Sequence, residues 1–166
     1  MATFITSNAA FPPITNVDTT PALAVGTMAL ASDGSILMYV QATSTINQFD
    51  ACIIIQTSSA TGASIGCVPV TTTNALTSQR LCAAQVAIAS SSYGWVYLSG
   101  NNMRVNCAIA CQPNVPLYTT GTAGVLDDAI VTAGYCLGVV IKSSATSASA
   151  PPASFGFAVI RTYAGG

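Results

Sequence analysis

The chain has 166 residues, which is the length of one domain with a core of its own. Charged side chains make up 5% of it, against about 25% in an ordinary soluble domain. It carries four Lys and Arg, five Asp, and neither Glu nor His. This set excludes the many phosphate contacts of nucleic-acid binding and all histidine-based catalysis, so we predict a protein that is not an enzyme and uses no cofactor.

The sparse charge also bears on association. A folded chain of this mass should expose roughly 7,600 Å², which leaves about 850 Å² per charge, close to one partner's share of a standard interface. A free monomer gains solubility from surface charge, whereas a subunit covered by neighbours does not need it. Composition therefore predicts an oligomeric or lattice-bound protein.

Two further features bear on location. No run of 18 apolar residues occurs, so we expect no membrane-spanning helix and no membrane partner. The first residues, Met1–Phe4, lack the charged and apolar regions of a signal peptide, from which we expect synthesis and assembly in a cytoplasm.

Residues 1–25 are predicted to form an extended N-terminal arm. Prolines at positions 12, 13 and 21 oppose both helix and central strand. Phe4 and Phe11 have no local strand to pack into, so we expect them to contact a neighbouring subunit or another partner surface. A disordered tail is the alternative, although such tails usually carry more charge and fewer aromatic residues.

Short strands are predicted to begin at residue 26, where a single β-domain spanning 26–166 starts. Asp33–Gly34 is a hairpin signal between two of them. The β-branched run Phe49–Gln56 is typical of a strand buried on both faces, and Ile65–Val70 of a strand at an edge or end. Residues 74–81 are the one helical candidate, although 81–88 can equally form a strand.

The run Tyr93–Leu98 alternates, and the cluster 99–102 supplies turn residues before a second run, 103–111. This pattern predicts a β-hairpin. Tyr93, Trp95 and Tyr97 would share one face, and we predict that they contact a neighbouring subunit or another partner surface, because aromatic residues with a polar group are enriched at interface centres. The alternative is that they fill the core while the opposite face packs against a second layer.

The rest of the chain predicts further short strands. They are expected at Leu117–Thr120, Tyr135–Ile141 and the strictly alternating run Phe155–Tyr163, with a low-complexity surface loop over 143–154. Asp127 and Asp128 are the one acidic pair, and we interpret them as turn formers rather than catalytic acids. The predicted fold is all-β, an antiparallel sandwich or barrel with at most one short helix.

Six cysteines leave three interpretations open. Buried thiols that pack like small hydrophobic side chains explain them most simply, and Cys107 and Cys111 would then share one strand face. A disulfide or a metal site are the alternatives, but the chain has no secretory signal and only one closely spaced cysteine pair. We therefore predict no metal and six reduced thiols.

Five segments carry a resemblance to a known family. They are GTMALASDG (26–34), YVQA (39–42), YGWVYLSG (93–100), NVPLYTTGTAGVLDD (114–128) and YCLGVVI (135–141). In their order and spacing they resemble the capsid cement, or head decoration, proteins of tailed bacteriophages. The resemblance covers roughly residues 24–141.

The resemblance implies a structural virion protein on the capsid surface. Its partners would be the major capsid protein and further copies of itself, in a homotrimer or dimer that stabilises the assembled lattice. An alternative function is a receptor- or glycan-binding β-module of a tail fibre or surface adhesin, which would use exposed aromatic residues with Asn and Asp.

Overall fold

The computed structural model describes residues 12–59, 62–130, 134–146 and 149–161, and it confirms an all-β fold. No helix occurs in these residues. Ten strands follow one another: β1 (Met28–Leu30), β2 (Ile36–Ala42), β3 (Ala51–Ser59), β4 (Gly62–Pro69), β5 (Leu81–Ala84), β6 (Tyr93–Arg104), β7 (Leu117–Thr119), β8 (Leu126–Asp127), β9 (Tyr135–Ile141) and β10 (Pro152–Arg161).

Five of the strands close into a small barrel. The hydrogen-bonded neighbours run β2–β4–β3–β5–β6, and β6 pairs again with β2. Four of the five pairings are antiparallel, and the exception is the short parallel contact between β2 and β4 at Gln41 and Ala42. Closure removes the free edges that exposed strands would otherwise present.

The remaining strands form a side layer on the barrel. β10 pairs with the second half of β6, and β9, β7 and β8 follow it in that order. β1 pairs with the first half of β2. The outward side chains of the barrel and the inward side chains of this layer, among them Ile53, Leu81, Phe155 and Ile160, form one buried cluster.

Strand β6 separates two cores because side chains alternate across it. Val96 and Leu98 lie inside the barrel with residues of β2 and β5. Trp95 and Tyr97 point the other way into the cluster beneath the side layer, where Trp95 is 1% exposed and meets Tyr39 edge to face at a centroid distance of 5.3 Å. Both faces of β6 are therefore interior.

This burial corrects the interface predicted for the aromatic stripe. A Trp95 side chain with 1% exposure offers no surface to a second chain, and Tyr97 is also buried. Tyr93 is half-buried and packs against the same cluster. The structure matches the alternative, in which the aromatic residues fill the core and Val96 and Leu98 face a second layer.

The predicted hairpin over 93–111 is also wrong. β6 continues through the turn-like residues to Arg104, because Gly100, with φ 148°, lets the strand exchange one neighbour for another. Before this point β6 pairs with β2, and beyond it only with β10. After Arg104 the chain leaves the sheet, with Cys107 and Cys111 buried on either side of an exposed Ile109.

The helical candidate forms turns instead. The side-chain oxygen of Asn74 accepts the N–H of Thr71 at 2.7 Å, and its amide nitrogen donates to the Pro69 carbonyl at 3.0 Å. These bonds fold the segment back towards β4 rather than start a helix. The alternative prediction, a strand beginning at residue 81, is correct over Leu81–Ala84.

The described part of the predicted arm, residues 12–25, lies on its own domain. Asp18 and Tyr93 exchange two backbone hydrogen bonds of 2.8 and 2.9 Å, and the Tyr39 hydroxyl donates to the Asp18 carboxylate at 2.7 Å. Burial and this bond raise the pKa of Tyr39 to about 12, so it stays a donor at neutral pH. Ile14 and Leu23 pack against the core.

Two local predictions near the C-terminus are corrected. The low-complexity loop is shorter than expected, because Ala145 is buried and β10 already begins at Pro152.

The side chains of β10 do not alternate strictly along its whole length. Phe155 pairs with Val139 and Val159 with Leu137, so three residues of β10, 156–158, lie opposite the single residue Gly138 of β9. This bulge leaves Phe157 exposed in a left-handed conformation with φ 52°.

Truncation of Trp95 should destabilise the isolated domain. We expect Trp95→Ala to lower the free energy of unfolding by about 3–5 kcal/mol in a denaturant titration, the cost of emptying a large core site. Val17→Ala, at an exposed position, is the control and should change it by less than about 0.5 kcal/mol. An unchanged midpoint for Trp95→Ala would contradict its place in the core.

The six thiols should be reduced but unreactive in the native protein, because all six are free and buried. Cys52, Cys67 and Cys82 lie inside the barrel, and burial raises the pKa of Cys52 and Cys82 well above its ordinary value. A thiol reagent should therefore label almost no cysteine in the native protein and all six after denaturation without reductant. Labelling of two cysteines or fewer after denaturation would reveal disulfides.

Candidate interaction surface

The described residues assemble no catalytic group around the buried carboxylate. Asp50 accepts the backbone N–H of Asn47 at 2.7 Å and the side-chain amide of Asn106 at 3.0 Å. A Cβ at Gly124, where φ is 75°, would collide with this carboxyl group. Burial raises the pKa of Asp50, and its oxygens link the loop that contains Asn47 to the loop that contains Asn106. Asp50 therefore has a structural role.

The acidic pair has a similar local role. Asp127 accepts the N–H of Asp128 at 2.8 Å, and Asp128 accepts the N–H of Gln112 at 3.0 Å. Their carboxylate oxygens and the Cys111 sulfur lie within 4.8 Å of one another. Burial and the nearby Asp128 raise the pKa of the Cys111 thiol.

A groove opens at the mouth of the barrel. β6 occupies one edge of β2, so β1 and β4 share the other edge, and the groove forms where β2 diverges from β4. It has a volume of about 540 Å³. This barrel-mouth groove is lined by Met38, Ile54, Ile55, Gln56, Ile65, Ser78, Gln79 and Arg80.

The groove is apolar at its base and carries one charge at its rim. Met38, Ile54 and Ile65 belong to, or pack against, the barrel interior. Arg80 is exposed, and its guanidinium carbon lies 5.9 Å from the ring centroid of Phe157, within the range of a cation–π contact. Among the described residues no carboxylate forms an ion pair with Arg80.

Exposed apolar side chains surround this groove. Phe157, 46% exposed, adjoins it through Arg80, and Met28 adjoins it as the cross-strand partner of Met38. Leu76 adjoins it through Gln79, whose side chain accepts the Leu76 N–H. The groove thus combines an apolar base with polar walls and has exposed apolar side chains at its margin, and exposed apolar patches mark interaction sites.

The backbone at this surface is strained. Ser78 and Phe157 have φ values of 69° and 52°, in the left-handed region that non-glycine residues rarely adopt. The strain at each residue costs of order 1–3 kcal/mol and is typical of functional sites. Holding a phenylalanine exposed at such a cost is consistent with a contact role.

The predicted contact residues do not meet at this surface. Phe4 and Phe11 lie outside the described residues, and Trp95 and Tyr97 lie in the core. Sequence reasoning placed Phe157 inside a regular strand and interpreted Arg80 only as part of a helical candidate. No local pattern joins these two residues, because they meet only once β10 and the segment before β5 pack together.

No protein-family model, curated protein or solved structure matches this chain. In the described part of the chain there is also no helix of the length and hydropathy needed to cross a membrane. The surface must therefore be interpreted from its own chemistry.

Replacement of Phe157 should separate stability from association. Phe157→Asn keeps a residue that tolerates positive φ, so we expect the free energy of unfolding to stay within about 1 kcal/mol of wild type. Self-association, measured by sedimentation velocity, should weaken by at least about tenfold, because an exposed aromatic anchor is lost. Val17→Asn, at another exposed apolar position, is the control. Unchanged association would remove Phe157 from the interface.

Proposed function

We propose that this chain is a structural virion protein, a capsid cement or decoration subunit that binds the assembled capsid lattice and stabilises it. The observation that carries the proposal is a surface almost free of charge, which contains a groove with an apolar base. Nine formal charges accompany 7942 Å² of accessible surface, about 880 Å² per charge, and Asp50 is buried. The family resemblance of the sequence motifs supports the same function.

The mechanism would be geometric rather than chemical. A subunit that binds only the assembled lattice stabilises that lattice by mass action, because every bound copy must dissociate before the lattice comes apart. Its partners would be the major capsid protein and further copies of itself, in a trimer or dimer. We place it on the capsid surface of the virion, after synthesis in the host cytoplasm.

A glycan-binding module of a tail fibre or adhesin is the second candidate. It would dock a sugar on exposed aromatic residues beside Asn and Asp. Burial of Trp95 and Tyr97 removes the aromatic platform on which this alternative depended. Phe157 is the one described aromatic residue among the exposed large hydrophobic side chains, and its charged neighbour is Arg80. The structural role is therefore favoured.

Binding to heads tests the proposed function. Purified protein is added to heads of the virus that encodes it, prepared without this chain, in both unexpanded and expanded forms. We expect saturable binding to expanded heads alone and a higher temperature of head disruption. Heads already carrying a full complement are the control and should bind no more. Equal binding to free capsid protein, or no binding to either form of head, would contradict the proposal.

A further inference from the structure

A second exposed apolar patch lies beside the acidic pair. Ile109 and Ile130 are 67% and 78% exposed, the two largest values among the large hydrophobic side chains described. Ile130 follows Asp128 by two residues, and the turn that contains Ile109 is bound to β8, since Ala108 donates to the Leu126 carbonyl at 2.9 Å. We call Ile109, Ile130, Asp127 and Asp128 the isoleucine patch.

The isoleucine patch and the barrel-mouth groove are complementary in charge. The patch combines two exposed aliphatic side chains with two carboxylates, and the groove has an apolar base and a cation at its rim. Within the described ranges Arg80 forms no ion pair with a carboxylate, and neither Asp127 nor Asp128 forms one with a cation. Each surface therefore lacks a counter-charge that the other carries.

The two surfaces belong to different parts of the molecule. β9 and β7 lie between β10, which carries Phe157, and β8, which carries Asp127. Like-with-like pairing is disfavoured, because groove on groove would bring two Arg80 side chains together and patch on patch would bring four carboxylates together. Patch-to-groove pairing avoids both repulsions, either reciprocally in a two-fold pair or head to tail, which builds a ring where the rotation closes.

We propose that the isoleucine patch of one copy docks into the barrel-mouth groove of the next copy, with Asp127 and Asp128 facing Arg80. The two isoleucines fill the groove beside Phe157, and the charges fix the orientation. The inference deepens the proposed function by naming the contact between copies.

Charge reversal on the full chain tests this contact. Self-association is measured by sedimentation velocity for wild type, Arg80→Glu, Asp128→Arg and the double variant. Each single reversal should raise the Kd of self-association by at least about tenfold, because it places like charges across the contact. The double variant should recover most of the loss, because the two reversed side chains again carry opposite charges. Wild-type association should also weaken with added salt.

Two control variants isolate the charge effect. Lys142→Glu makes the same charge change at an exposed position outside both surfaces and should leave the Kd unchanged. Asp128→Asn keeps an acceptor for the Gln112 N–H and should weaken association less than Asp128→Arg does. Unfolding midpoints of all variants establish that each is folded.

The outcomes distinguish this inference from the proposed function. A Kd of self-association that neither single reversal raises would overturn the patch-to-groove contact, and so would a double variant that associates no better than the single ones. The proposed binding to capsid heads would not be affected by either result. Association that chelators abolish and a divalent cation restores would reassign the acidic pair to a metal and likewise overturn the inference. A wild-type chain that stays monomeric at high concentration overturns it outright, whatever its binding to heads.

Discussion

The fold depends on β6, a strand that is buried on both faces and pairs with three neighbours. Its first half closes the barrel between β2 and β5, and its second half holds β10 and so the whole side layer. Val96 and Leu98 fill one core and Trp95 and Tyr97 the other. Because residues 94–98 serve both cores, this part of β6 has no surface to offer a partner.

The barrel-mouth groove is a consequence of how the barrel closes. β4 reaches β2 only at Gln41 and Ala42, and β1 takes the remaining length of the same edge. The gap between them leaves Met38 at the base of an open groove, with Arg80 at the rim. In a chain with four cations and five carboxylates, few other charges would compete with Arg80 for the orienting role that we propose for it.

Local chemistry predicted some elements well. The hairpin around Asp33–Gly34 forms as expected, since the Ser35 N–H binds the Asp33 carboxylate and Gly34 takes a φ of 80°. Tyr135–Ile141 is a strand as predicted. Long-range pairing overrode the turn signal near Gly100, where the arriving β10 keeps β6 extended. The groove was beyond prediction, because Met38, Arg80 and Phe157 come from separate segments.

Amide hydrogen exchange, compared between dilute and concentrated protein, tests most directly whether the apolar surfaces are contacts between copies. The account predicts that amide exchange slows in concentrated protein at both surfaces together, over 76–80 and 156–158 at the groove and over 108–111 and 128–130 at the isoleucine patch. Exchange in the barrel strands should stay unchanged. Protection of one surface without the other, or exchange that does not depend on concentration, would contradict it.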